Sequence, residues 1–445
     1  MSNQPLKEKL QRLQCHFTWN LEVKHNFQHT LKKLDLHLEH TFYHNRGTYL
    51  AMKAYLHHLR GDYHEALGSL QRAEEVLKQD HPTNFSCQAL VIYGNYAWIY
   101  YHLTNYEEVE LYLGRIREIC QALASPEPYS VEIPGVQAQK GWSLLASGFR
   151  NGPEATECFR MALRKDESNK EYKAGLAFSI FASWTHSPRH LQHEAQGLLE
   201  EVCHHQPQNY EAKVYLSRVL ERTDQEQSNR LVEEVIENSL NPEVLRNASK
   251  VYRPQSLPQA IDILKKAIAL DPNYHLLHYD LGVYYMELME RGSPGDREET
   301  IALAIESFKR SLETDPESVF SQLKLAKMYG ERSLEVYEEE IHQNLLEDML
   351  KLSKRCQQAL YLHRGDFLLH RKGERQGALE MYQACYQVHG DHPLERSQLV
   401  ESLKVLARRF RENMEMDHAE VVYSLLRRLG FEDRRDERGA ARREQ

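Results

Sequence analysis

The sequence predicts an all-α solenoid of stacked helix pairs, and three observations carry that prediction. A short motif recurs along the 445 residues: a small residue, a large apolar one four later, another small one three beyond, and often Pro as the segment ends. The segments that precede it carry a matching pattern of Leu, Gly and aromatic residues, as in LHYDLGVYY with Leu281, Gly282 and Tyr285. The stretches that lack both are rich in Pro and Gly, as linkers and loops are.

Positions at i, i+4 and i+7 share one helix face, so the motif describes a helix that packs closely on its partner. Small side chains let the backbones approach, and the large one fills the groove between them. The motif is Ala66, Leu70 and Ala73 after Gly61 and Tyr63, then Ala155, Phe159 and Ala162. It returns as Ala260, Leu264, Ala267 and Pro272, as Ala304, Phe308, Ser311 and Pro316, and as Ala378, Tyr382 and Cys385 after Gly373. Weaker copies lie at 109–116, at 195–202 with Pro207, and at 231–235 with Pro242. This is the pattern of the tetratricopeptide-repeat (TPR) superhelical solenoid, whose period is about 34 residues, and it predicts about eight or nine helix pairs.

Breaks in the pattern divide the chain. Residues 1–125 form an N-terminal repeat block, and 126–136, with the prolines of SPEPYSVEIPG, a linker. Residues 137–289 form a central block, 290–300 an inserted loop, and 301–430 a C-terminal block. Residues 431–445 hold five Arg and five acids without apolar periodicity, which predicts a disordered tail.

Composition excludes several classes. No apolar run reaches the 18 or so residues of a membrane span, and the N-terminus has no apolar core of a secretory signal. Seven cysteines stand singly, which fits reduced thiols in the cytosol better than secreted disulfides. The net charge of −9 argues against indiscriminate nucleic-acid binding but leaves room for a basic groove.

Several segments resemble the interferon-induced proteins with tetratricopeptide repeats: CHFTWNL (15–21), YLHHLRGDYHEAL (55–67), YGNYAWIYYHL (93–103), QKGWSLL (139–145) and VLRNASKVYR (244–253). The resemblance covers essentially the whole chain except the tail. It implies a cytoplasmic antiviral effector that binds single-stranded RNA, rather than DNA or membrane, in a basic groove of the solenoid. It also implies a block on translation or replication of foreign RNA, and assembly with other family members.

The local support is one helix. Arg246, Lys250 and Arg253 fall at i, i+4 and i+7, three cations on one face, with Tyr252 beside them. Such a stripe inside a channel holds phosphates; on an outer surface it is a solvated face. The resemblance places Arg246 and Arg253 at phosphate contacts, and Glu171, Asn209, Lys213 and Lys33 near the pocket. Trp142 matches a residue that stacks on a base, and its register equally fits a core position. Two departures stand out: Ala146 and Ala182 occupy positions where members that bind 5′-phosphates carry Lys and Arg. Two lost charge-assisted contacts at about 1.5–3 kcal/mol each would weaken triphosphate recognition, unless Arg150, four residues past Ala146, compensates.

Other chemistry is not indicated, and no cofactor is expected. His37, His40 and His44 fall at i, i+3 and i+7, with a second pair at His190 and His193, but no HExxH or CxxC accompanies them. Solvated histidines are the expectation, not a metal site. GxxxxGK[ST], GxGxxG and GxSxG are all missing, so the chain reads as a binding protein and not an enzyme. Within that class two readings stay open: an RNA-binding effector, and a scaffold for protein partners.

Overall fold

The computed structural model describes residues 4–21, 23, 27–185, 191–292, 296–390 and 392–431. His190, the centre of the 290–300 loop and all but the first residue of the charged tail lie outside them. The described residues form twenty-three α-helices, and the chain divides into two units, Met1–Pro272 and Asn273–Gln445.

The first unit opens with α1 (Gln4–Leu10) and α2 (Phe27–His40). Pairs follow: α3 (Arg46–Leu59) with α4 (Tyr63–Asp80), then, after the short α5 (Phe85–Gln88), α6 (Leu90–His102) with α7 (Tyr106–Ala122). Next come α8 (Pro134–Ser147) with α9 (Gly152–Leu163), and α10 (Lys170–Trp184) with α11 (Gln192–His205). The unit ends with α12 (Tyr210–Leu220) on α13 (Gln225–Asn238), and α14 (Pro242–Tyr252) on α15 (Leu257–Leu270). The second unit pairs α16 (His275–Arg291) with α17 (Arg297–Thr314) and α18 (Val319–Glu331) with α19 (Glu335–Glu347). It then pairs α20 (Lys354–Phe367) with α21 (Arg375–Gln387) and α22 (Pro393–Glu412) with α23 (Met416–Arg428). Many of the helices start at a capping side chain; Asn105, Asn169, Asn209 and Asn241 each accept from backbone N–H groups of the turn they open.

The recurring motif marks the pair crossings. A Cβ on Gly141 of α8 would lie 2.7 Å from the Phe159 ring, and one on Gly175 of α10 closer still. Gly282 meets Phe308 in the same way, and Gly365 meets Tyr382. The large residues of α9, α17 and α21 are thus each seated on a first helix that has no side chain at the contact. Residues 125–133 are non-helical, yet one apolar cluster runs from Leu10 to Leu220 across them. Beneath it a buried polar chain ties the N-terminal segment to α6 and α8. Asn95 Nδ2 reaches His16 Nδ1 at 3.0 Å, and His16 Nε2 reaches Ser143 Oγ at 3.0 Å. Burial lowers the His16 pKa to about 3, so the ring is neutral.

The described residues hold ten pairs rather than eight or nine, and α19 shows why one was illegible. Its slots for the small, large and small residues hold Glu338, His342 and Leu345, and the first two are buried. Glu338 Oε2 and both His342 ring nitrogens have no hydrogen-bond partner. Burial pushes the Glu338 carboxyl up to about 7, with Arg371 Nε 3.9 Å away. Arg371 keeps its own partner, Glu331, at 2.7 Å.

Two opposite outcomes follow for stability. Gly175→Ala is expected to cost about 1–3 kcal/mol, because Phe159 is held from both sides and cannot retreat. Glu338→Ala and His342→Leu, which restore the motif, are each expected to stabilise by about 1 kcal/mol or more by removing unsatisfied buried groups. Urea unfolding followed by circular dichroism reads both; stabilisation by G175A, or destabilisation by E338A, would overturn the account.

Candidate nucleic-acid interface

The first helices of the pairs in the first unit place their inward side chains around a cavity of about 360 Å³. Its walls come from α2, the turn at 41–43, α8, α10, α12 and the segment that leads into α14. Eight of the twenty-two lining residues are Phe, Tyr or Trp. Tyr43 stacks on Trp142 with centroids 5.2 Å apart and an interplanar angle of 24°. Phe178 stands edge-on to both, at 6.2 Å from each. Phe159 props Trp142 from behind, edge-on at 5.1 Å, so the glycine-seated ring of the fold also fixes the indole.

Polar groups hold this wall in place. Asn209 Nδ2 donates to Tyr43 Oη at 2.9 Å, and Tyr43 Oη donates to Gln206 Oε1 at 3.0 Å. The Asn209 Oδ1 is committed to the N–H of Ala212, so this side chain is a helix cap as well as a wall. Lys33 Nζ donates to the Leu145 carbonyl at 3.1 Å, a cation at the C-terminal end of α8, and lies 5.4 Å from the centre of the Phe149 ring. Burial lowers the Lys33 pKa, and Glu243 and Glu211 oppose that shift. Glu211 accepts from Tyr215 Oη at 2.7 Å, and burial raises its pKa. Arg246 and Glu243 pair at 3.3 Å, both largely enclosed. His37 stacks on Tyr49 at 5.0 Å, and burial holds it neutral with a pKa of about 3.

The candidate residues separate into three groups. Trp142, Asn209 and Lys33 line the cavity, as does Ala146. Arg246 is close enough to Lys33 to act on its charge, and Lys250, Tyr252 and Arg253 continue along and past α14, half-buried. Tyr252 Oη donates to Glu233 at 3.5 Å. The third group serves other contacts. Lys213 is buried against Glu234 at 2.5 Å, and Glu171 pairs with His44 Nδ1 at 2.5 Å.

Four expectations change. α8 ends at Ser147, and Gly148 at φ 134° turns the chain, so Phe149 enters the cavity wall and Arg150 stands exposed outside it. Arg150 therefore does not replace a cation at Ala146. α2 stops at His40, so His44 leaves the helix face of His37 and His40. His37 is not solvated but packed on Tyr49. Ala182 is fully buried in α10, away from the cavity lining. The sequence reading missed Tyr43, whose partner Trp142 is 99 positions away, and Glu211, which looks like an ordinary first-turn acid.

No protein-family model matches the chain. It is 31% identical over 432 residues to the human antiviral innate immune response effector IFIT1, covering 91% of this chain and 88% of that protein. It is also 31% identical over 390 residues to the human interferon-induced protein with tetratricopeptide repeats 2, covering 82% and 79%. The chain belongs to the family of interferon-induced proteins with tetratricopeptide repeats. Among solved structures, the human IFIT1 dimer with PPP-AAAA matches with a TM-score of 0.73 at 28% identity, over 96% of this chain and 95% of that one. A monomeric IFIT1 mutant with Gppp-AAAA matches with a TM-score of 0.72, over 96% and 100%. With its family, the chain is a helical-repeat binding protein and not an enzyme.

The buried histidines set an acid limit on the site. His16 and His37 are neutral when folded, at about 3, and take up protons near 6.5 once unfolded. Their contribution is present above about pH 6.5 and is lost below it, at up to about 1.4 kcal/mol per pH unit for each. Glu211, Glu221 and Glu338, raised by burial, work in the opposite sense but are outnumbered by the histidines that burial lowers, which also include His57, His58, His102, His342, His363 and His370. Urea midpoints are expected to be level above about pH 7 and to fall between about 6.5 and 5; a midpoint that stays flat or rises on acidification refutes this.

Proposed function

We propose that this protein is a cytoplasmic antiviral effector that binds single-stranded foreign RNA on the first unit and restricts its translation or replication. The observation that carries the reading is the juxtaposition of an aromatic cavity with a cationic helix. Tyr43, Trp142 and Phe178 offer ring faces and edges to a base. Arg246, Lys250 and Arg253 run along one face of α14 and its cap, spaced for successive phosphates of a backbone. The relatives support it: IFIT1 structures hold PPP-AAAA, Gppp-AAAA and m7Gppp-AAAA.

In this division of labour α14 supplies affinity and the cavity supplies selectivity. Glu171 and Lys213 act through their ion pairs, by fixing His44 and the start of α12. Association with other members of the family is a second part of the reading, supported by the dimers of IFIT1.

Fluorescence anisotropy with a labelled ten-nucleotide RNA over a salt series tests the assignment. Lys250→Ala and Arg253→Ala are each expected to weaken binding alike for all sequences and to lower the salt slope by about one. Tyr43→Leu is expected to weaken it by about 1–3 kcal/mol with the slope unchanged. Absence of salt-dependent binding to any single-stranded RNA would sink the proposal. Partners that co-purify from interferon-treated cells after nuclease digestion would then favour the scaffold.

A further inference from the structure

Among the described residues, the charges that line the cavity are already balanced. Its lining holds one lysine, Lys33, and one carboxylate, Glu211, with the imidazoles of His37 and His40. Lys33 is engaged with the Leu145 carbonyl and lies in the field of both Glu211 and Glu243. The nearest guanidinium, Arg246, is paired with Glu243 at 3.3 Å. Two further cations of this unit do not line the cavity: Lys213 is on Glu234, and Arg150 is exposed outside it. Ala146 contributes only a methyl group to the wall, one turn from Trp142.

Among the described residues, a polyphosphate in this space would meet a single ammonium group, already committed to a carbonyl, and a carboxylate of its own sign. Buried charge without a counter-charge is strongly disfavoured. A planar uncharged ring meets the opposite situation: stacked aromatic walls, and hydrogen-bonding groups at Lys33, Glu211 and Gln208 along its edges. The cavity, at about 360 Å³, is at the small end for ligand pockets and suits one nucleoside rather than a strand.

We infer that the cavity receives the terminal nucleoside of a single-stranded RNA whose 5′ end is an uncharged hydroxyl, and discriminates against 5′-polyphosphate. The inference rests on the RNA-binding reading above and gives that site its selectivity. Glu211 is the specificity-determining residue: it supplies an acceptor to a base edge and repels phosphate.

The test compares 3′-labelled ten-nucleotide RNAs of one sequence ending in 5′-hydroxyl or 5′-triphosphate, with a circular RNA of the same composition, all on the full chain. The 5′-hydroxyl RNA is expected to bind at least threefold tighter than the 5′-triphosphate RNA, and the circle at least tenfold more weakly than the 5′-hydroxyl RNA. Glu211→Gln, which keeps the shape of the wall, is expected to improve triphosphate binding about three- to tenfold relative to 5′-hydroxyl binding. Ala146→Lys is expected to shift preference the same way by tenfold or more, with its fold verified by circular dichroism. A wild-type chain that prefers the triphosphate overturns the inference and leaves the RNA reading standing. A circle that binds as well as the linear 5′-hydroxyl RNA overturns the terminal placement. Binding to none of the three RNAs refutes the RNA reading itself.

Discussion

The seating of one ring between two glycines governs both the fold of the first unit and the shape of its cavity. Phe159 lies against Gly141 and Gly175, and a methyl group at either position would collide with it. The first helices of two successive pairs are therefore held at a separation set by one ring thickness, which a close-packed interior cannot relax cheaply. Trp142 follows Gly141 directly, Ala146 lies five residues on, and Phe178 lies three past Gly175. The residues that line the cavity are thus in fixed register with the residues that seat the ring. In the second unit the same contact recurs at Gly282 with Phe308 and at Gly365 with Tyr382. Where α19 replaces the small and large residues by Glu338 and His342, the crossing holds polar atoms without partners. That exchange trades packing for unsatisfied polar groups, and marks α18 and α19 as a weak repeat of that unit.

The cavity shows how burial changes what charged residues can do. Counted along the sequence, Lys33, Arg246, Lys250 and Arg253 suggest a basic channel. In the structure Lys33 and Arg246 are enclosed with Glu211 and Glu243, and each cation is set against an acid. Enclosed charges need such partners, since an isolated one would lose its hydration without return. The consequence is that, among the described residues, the cavity itself is electrically balanced and aromatic.

Much of this architecture was legible from local patterns, and the rest was not for identifiable reasons. The Ala-Phe-Ala and Ala-Leu-Ala spacings of α9 and α15 marked the crossings because they depend only on positions within one helix. The Tyr43–Trp142 stack was unreadable because it joins a turn to a helix 99 positions away, and neither segment hints at the other. The ion pairs of Lys213 with Glu234 and Glu171 with His44 were missed for the same reason. Arg150 was misplaced because helix continuation was assumed past Gly148, whose φ of 134° is the left-handed region that breaks the register. His44 was misplaced by one turn of helix that α2 does not have.

A buried Ser–His–Asn chain in the first unit invites a catalytic reading, and its hydrogen bonds refuse it. Asn95 Oδ1 accepts from the backbone N–H of His16 at 3.3 Å, and Nδ2 donates to the carbonyl of Ala51 at 3.0 Å. Those two backbone groups have fixed polarity, so the orientation of the amide is determined without reference to the imidazole. The same Nδ2 then donates to His16 Nδ1, which must be the unprotonated nitrogen. Nε2 accordingly carries the proton and donates to Ser143 Oγ, whose own hydrogen goes to the Gln139 carbonyl at 2.8 Å. A nucleophilic serine needs the reverse: an imidazole nitrogen free to accept its proton. Burial also holds His16 near 3, too weak a base for the task, and all three side chains are sealed from solvent. What the chain of bonds does is mechanical. It fastens the N-terminal segment through α6 to Ser143, the neighbour of Trp142, so the wall of the cavity is held by polar bonds on one side and by the glycine-seated ring on the other.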